Sequence, residues 1–196
     1  MKTEQLHELL YQALETEAGG IEVYQTAIRC AKNEDLKEEW LKYLEQTRHH
    51  EQVLRDVLEK MGLDPAKETS GRQIVLRKGE SLVEAMKMAL KAGDAGAAQL
   101  VAAECVVTAE TKDHQNWELI GQAAETLKDA SGAALKQACD EIEDEEDEHL
   151  YHSQGWSREL WIEALGLPAV LPPPEEKKDV KTASEAAQAK KSRKAG

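Results

Sequence analysis

Six residues spread along the chain are of types that could act together: Glu17, His50, Glu110, Asp113, Glu146 and His149. Carboxylate and imidazole are the donors that hold Fe or Mn, whereas Zn sites more often use thiolate. The densest stretch, DEEDEHLYH at residues 144–152, puts five acids and two histidines within nine residues. Helical phase separates ligand from solvated surface here. Leu135, Ile142, Trp156 and Leu160 mark the inner direction of this helix. At about 100° per residue, Glu146 and His149 fall within about 40° of it. Glu145 and His152 lie off to one side, and Glu141 and Glu148 point away.

The same interruption of an apolar stripe occurs three more times. Glu17 falls between Ala13 and Tyr24. Glu110 and Asp113 fall within the seam Ala103, Val106, Trp117, Ile120 and Ala124. Thr47 and His50 lie on the seam of Leu36, Trp40, Tyr43 and Leu54. His49 faces outward, and a small rotation would exchange it with His50. An unpaired ionised carboxylate in a core costs on the order of several kcal/mol, or it takes up a proton. A shared cation satisfies the acids and uses the neutral imidazoles as ligands. No cysteine lies on the proposed seam.

The pattern is also repeated. Glu17 is followed seven residues later by Tyr24, and Glu110 seven residues later by Trp117. Each of these helices precedes one with an inward histidine, His50 or His149. Both halves finish in Gly-Leu followed closely by Pro.

Four long helical segments must position these groups. They run from about Thr3 to Lys32, from Asn33 (an N-cap) to Gly62, from Asp94 to Leu127, and from Ala133 to Leu165. A connection of some thirty residues joins the halves, with a short helix expected from about Ser81 to Lys91. The fold class is therefore all-α: an antiparallel four-helix bundle with one long crossover containing a short extra helix, over residues 1–170. Gly19-Gly20 inside the first helix permits either a close helix approach or a kink. Residues 171–196 lack apolar periodicity and read as a disordered, basic C-terminal tail. From residue 175 onward it holds seven basic residues against four acidic ones.

Composition narrows the classes of function. The chain has 196 residues, 32% of them charged, and a formal net charge of −13. Such a chain repels phosphates, so nucleic acid is unexpected apart from weak contact by the basic tail. Three scattered cysteines without a C-x-x-C pair argue for a reducing compartment. No uninterrupted apolar run suggests a signal peptide or a membrane span. A cytoplasmic location is the expectation.

With these positions in place, the sequence resembles the ferritin-like superfamily of di-iron and di-manganese carboxylate proteins. The Glu-x6-Tyr of Glu17 and Tyr24 looks like the first-helix motif of bacterioferritins and rubrerythrins. EDEH at residues 146–149 matches the superfamily's Glu-x-x-His. The long crossover, AETKDHQNW and QTRHHEQVL look most like the bacterial stress-associated YciE/YciF-like branch. The resemblance spans about residues 3–167. It implies two Fe ions, with Mn as the alternative, and chemistry on Fe(II), dioxygen or peroxide in stress protection. A homodimer is the expected assembly. One position departs from the pattern, because the second helix carries Thr47 where the family has Glu. Asp113 or Glu51 is expected to supply the missing oxygen; an asymmetric, single-metal or lost site is the competing reading. A non-enzymatic, stress-related bundle that dimerises or binds a partner is the rival function. Iron storage in a shell and hydroxylation of an organic substrate are further alternatives.

Overall fold

The computed structural model of the chain describes residues 2–192. Its elements are α1 (Thr3–Cys30), α2 (Glu34–Lys60), α3 (Ser70–Ala92), α4 (Ala95–Thr126), α5 (Ala130–Ala164), α6 (Pro174–Lys177) and α7 (Ala183–Ser192). The chain is all-helical, with no strand among the described residues.

Local chemistry sets the boundaries. Asn33, Thr69, Asp94 and Asp129 each accept a hydrogen bond from the backbone N–H three residues on, capping α2, α3, α4 and α5. Gly62 and Gly166 adopt positive φ just past α2 and α5. The N–H of Leu63 reaches back to Leu58, and that of Leu167 to Ile162. Both Gly-Leu pairs thus close the same C-terminal motif, in which only glycine takes the left-handed position without strain.

α1 lies against α2, α3 and α4, while α5 lies against α4 and α2. The core is split in two. One apolar cluster gathers Tyr24, Leu36, Trp40, Ala102, Val106 and Trp156. The other gathers Leu10, Leu14, Leu54, Leu58, Ile120 and Ile142. Between them, halfway along the four long helices, the buried residues are polar.

Two expectations are corrected. The connecting helix is not a short one over residues 81–91; α3 spans 23 residues. Only Val75 among residues 70–80 is buried, so apolar periodicity there is weak. The Thr69 cap starts the helix instead, and Arg72 pins it by reaching Glu15 and the carbonyls of Pro65 and Lys67. Farther along, Gly79 passes so near α1 that an added Cβ would sit 3.7 Å from the Gly19 Cα. Gly20 instead faces α2, where an added Cβ would meet the Thr47 methyl at 3.2 Å, and α1 continues unbroken through Gly19-Gly20.

The second correction concerns the tail. Residues 171–192 are not a free tail but fold back on α5. Arg158 grips both oxygens of Glu175 at 2.6 and 2.8 Å. A Cβ on Gly155 would meet Glu175 Oε2 at 2.8 Å, so glycine leaves room for the docking. Val180 and Ala189 are buried. A buried charged anchor and a glycine gap, neither visible as periodicity, do what a long apolar stripe does elsewhere. The last two basic residues, Arg193 and Lys194, lie outside the described residues.

Candidate metal centre

The polar layer holds all six residues singled out in the sequence. Glu17, His50, Glu110, Asp113, Glu146 and His149 are each at most 4% exposed. They come from α1, α2, α4 and α5. Glu17, Asp113 and Glu146 each bring an oxygen within 4.8 Å of the others, and His50, Glu146 and His149 do the same with their donor atoms. Glu146 is common to both groups. His50 Nδ1 lies 3.8 Å from Glu17 and 2.9 Å from Glu146. His149 Nδ1 lies 3.6 Å from Glu110 and 3.8 Å from Glu146. The two imidazoles are nearly parallel, with centroids 5.5 Å apart.

Each group is held from behind. Tyr24 on α1 donates its hydroxyl to Glu110 on α4 at 2.8 Å. Trp117 on α4 donates its indole N–H to Glu17 on α1, also at 2.8 Å. The repeated Glu-x6-aromatic spacing is therefore a reciprocal clamp, in which each helix orients the other's carboxylate. The histidines are oriented in the same crossed manner. His50 Nε2 is 2.9 Å from Glu145 on α5, and His149 Nε2 is 3.0 Å from Gln46 on α2. The hydrogen bond with His50, more than any other cause, holds the Glu145 carboxyl down at about 2, so it accepts. With Nε2 engaged outward, Nδ1 of each ring faces the acids, which is the orientation a metal-binding imidazole needs.

The inner atoms lack partners. Glu17 Oε2, Glu110 Oε2, Asp113 Oδ1, both Glu146 oxygens and both Nδ1 atoms are buried without a hydrogen bond. Even the 2.9 Å approach of His50 Nδ1 to Glu146 lacks hydrogen-bonding alignment. Burial first, then the neighbouring acids Asp113 and Glu146, pushes the Glu17 carboxyl well above the usual range. Burial followed by Glu146 and Glu110 does the same to Asp113. Glu146 is raised to about 8 by burial and then by Glu110. Native cores seldom leave so many acceptors unsatisfied. Four carboxylates and two imidazoles facing one another make a donor set that fits hard or borderline divalent cations.

Thr47 is buried, and its hydroxyl turns back to the Tyr43 carbonyl at 2.9 Å. It offers no oxygen to the centre. Glu51 pairs with Arg55 on the surface of α2, so of the two candidates for the missing acid only Asp113 is in place. His49 is exposed and pairs with Glu141.

Sequence phase missed a second buried group behind His149. Glu39 accepts from Tyr43, from Trp156 and, at 3.0 Å, from His152. The Tyr43 ring packs 4.2 Å from that of His149. Burial alone would raise the Glu39 carboxyl, but the bonds from His152, Tyr43 and Trp156 hold it low. His152 and Trp156 are four residues apart on α5, as Glu39 and Tyr43 are on α2, which is the signal that pairs them. Glu145 and Gln46 gave no such signal, since each sits at the rim of its helix face.

Compared with protein-family models, curated proteins and solved structures, the chain matches none of them.

Proposed function

We propose that the chain is a ferritin-like four-helix bundle built from α1, α2, α4 and α5, with α3 as its crossover, that holds two iron ions. Manganese is the alternative metal. Seven buried, partnerless donor atoms converging between two apolar half-cores are the observation that carries this reading. Glu17, Asp113 and His50 would hold one ion, Glu110 and His149 the other, with Glu146 shared. Two Fe(II) ions in such a centre would supply two electrons to dioxygen or peroxide, which is the protective chemistry proposed here.

The residues around the ions have separate tasks. Tyr24 and Trp117 fix Glu110 and Glu17. Glu145 and Gln46 hold the Nε2 sides of His50 and His149, which turns each Nδ1 toward the acids. Burial shifts the Glu17, Asp113 and Glu146 carboxyls toward their protonated forms, so cation binding, which needs the carboxylates, releases acid. The apolar clusters on either side keep bulk water from the ligands.

Elemental analysis tests this on untagged protein reconstituted anaerobically with Fe(II) or Mn(II), beside Glu17→Ala and His149→Ala. About two ions per chain, reduced in both variants, is the expected result. No stoichiometric metal in a folded parent would leave the non-enzymatic bundle as the better account. The observation favouring that rival is Thr47, which gives α2 no carboxylate at the centre.

A further inference from the structure

The acids flanking Glu146 in sequence do not share one fate. Glu148 is taken by Lys42, and Asp144 lies 3.9 Å from Lys181. Asp147 instead lines a cleft of about 420 Å³ between α4 and α5, together with Glu118, Glu125, Asp140 and Glu143. Of its cationic groups, Lys136 is held by Asp140 at 2.7 Å and His114 by Asp147 at 2.6 Å. Among the described residues, the carboxylates of Glu118, Glu125 and Glu143 have no cationic partner. Glu146 and Trp117 also line this cleft. Both Glu146 oxygens are buried and unpartnered, and they belong to the ligand cluster.

We infer that the α4–α5 cleft is the inlet through which divalent cations reach the centre; this rests on the metal-binding reading above. A concave acidic wall with low-dielectric sides concentrates cations and raises their arrival rate by about 10–10³-fold. Acidity alone does not select this cleft. Glu22, Glu80 and Glu84 line another on the α1–α3 side, of about 470 Å³. None of the buried unpartnered atoms belongs to its lining. At the α4–α5 cleft, surface charge leads to a waiting ligand.

Two triple variants, each removing three exposed acids, separate local steering from net charge. E118Q/E125Q/E143Q alters the proposed inlet, and E22Q/E80Q/E84Q alters the other cleft. Mn(II) loading is followed by stopped-flow quenching of tryptophan fluorescence, and bound Mn per chain is measured at equilibrium. Circular dichroism verifies that both triples remain helical. The inlet variant should load about 10-fold more slowly at low salt, with the gap closing as salt screens the cleft. The control should load near the parent rate, and all three proteins should reach two ions. Equal rates in the parent and the inlet variant, or equal slowing in both triples, would overturn the inlet and leave the centre standing. A parent that binds no Mn overturns both.

Discussion

Asp113 and Thr47 exchange the roles that the internal repeat assigns them. Gly20 and Thr47 face each other in the first half, close enough that a Cβ on Gly20 would meet the Thr47 methyl at 3.2 Å. In the second half the equivalent positions are Asp113 and Glu146, both acids of the cluster. The carboxylate absent from α2 is thus offset by one on α4, and the centre keeps four. Asp113→Asn should lower metal affinity at one of the two proposed ion positions, and adding Thr47→Glu should restore part of it; titration calorimetry with Mn(II) reads both. Gln46→Leu, which frees the His149 ring from its outward bond, should weaken binding by about 10–100-fold in the same titration. The metal-free protein carries a pH signature with a definite sign. Glu146 is raised from 4.5 to about 8, so the folded state holds more protons than the unfolded state between those values. The contribution of Glu146 to the stability of the metal-free form should therefore fall as pH rises from about 4.5 to about 8. Glu146→Gln should flatten that slope in urea titrations across the range.

At the scale of elements, the four long helices carry the inward acids and histidines, while α3 and α6–α7 complete their cover. The α6–α7 segment depends on few contacts. Its anchor is the Arg158–Glu175 pair, in which Glu175 is only 3% exposed at its side chain. Arg158→Ala leaves that carboxylate buried without its charged partner and should cost about 1–3 kcal/mol. Gly155→Leu should act by a different route, pushing Pro173 and Glu175 off α5 without removing a charge. In both variants limited proteolysis should cut within residues 171–192 before it reaches the long helices. Cutting at the parent rate would show that the docking does not depend on this anchor.

For the whole molecule, the polar layer between the two apolar clusters opposes folding when no cation is present. Four inward acids must hold protons or repel one another, and helices from both halves converge on the same layer. A cation binding only the folded state should stabilise it by about 2.7 kcal/mol at a hundredfold excess over its dissociation constant. Differential scanning calorimetry with and without Mn(II) should show that rise in the parent, and a smaller one in Glu17→Ala. Among the described residues no helix is long and apolar enough to cross a membrane. The exposed Ile74, Leu76 and Met88 of α3 remain on the outer surface of the single chain.

Residue order alone determined the four long helices, the Asn33 cap and the inward phase of Glu17, His50, Glu110, Asp113, Glu146 and His149. Those features depend on a repeat of 3.6 residues and on side chains meeting their own backbone, which one stretch of sequence contains. Tertiary structure decided the rest. Whether Asp113 or Glu51 faces the centre depended on a few tens of degrees of helix rotation, set by packing between helices. The bonds of Glu145 and Gln46 to opposite histidines, and the Glu39 group behind His149, join residues about a hundred positions apart. The docking of residues 171–192 turned on one arginine meeting one glutamate across a glycine. Contacts of that kind leave no period in the sequence, because they arise only when separate helices come together.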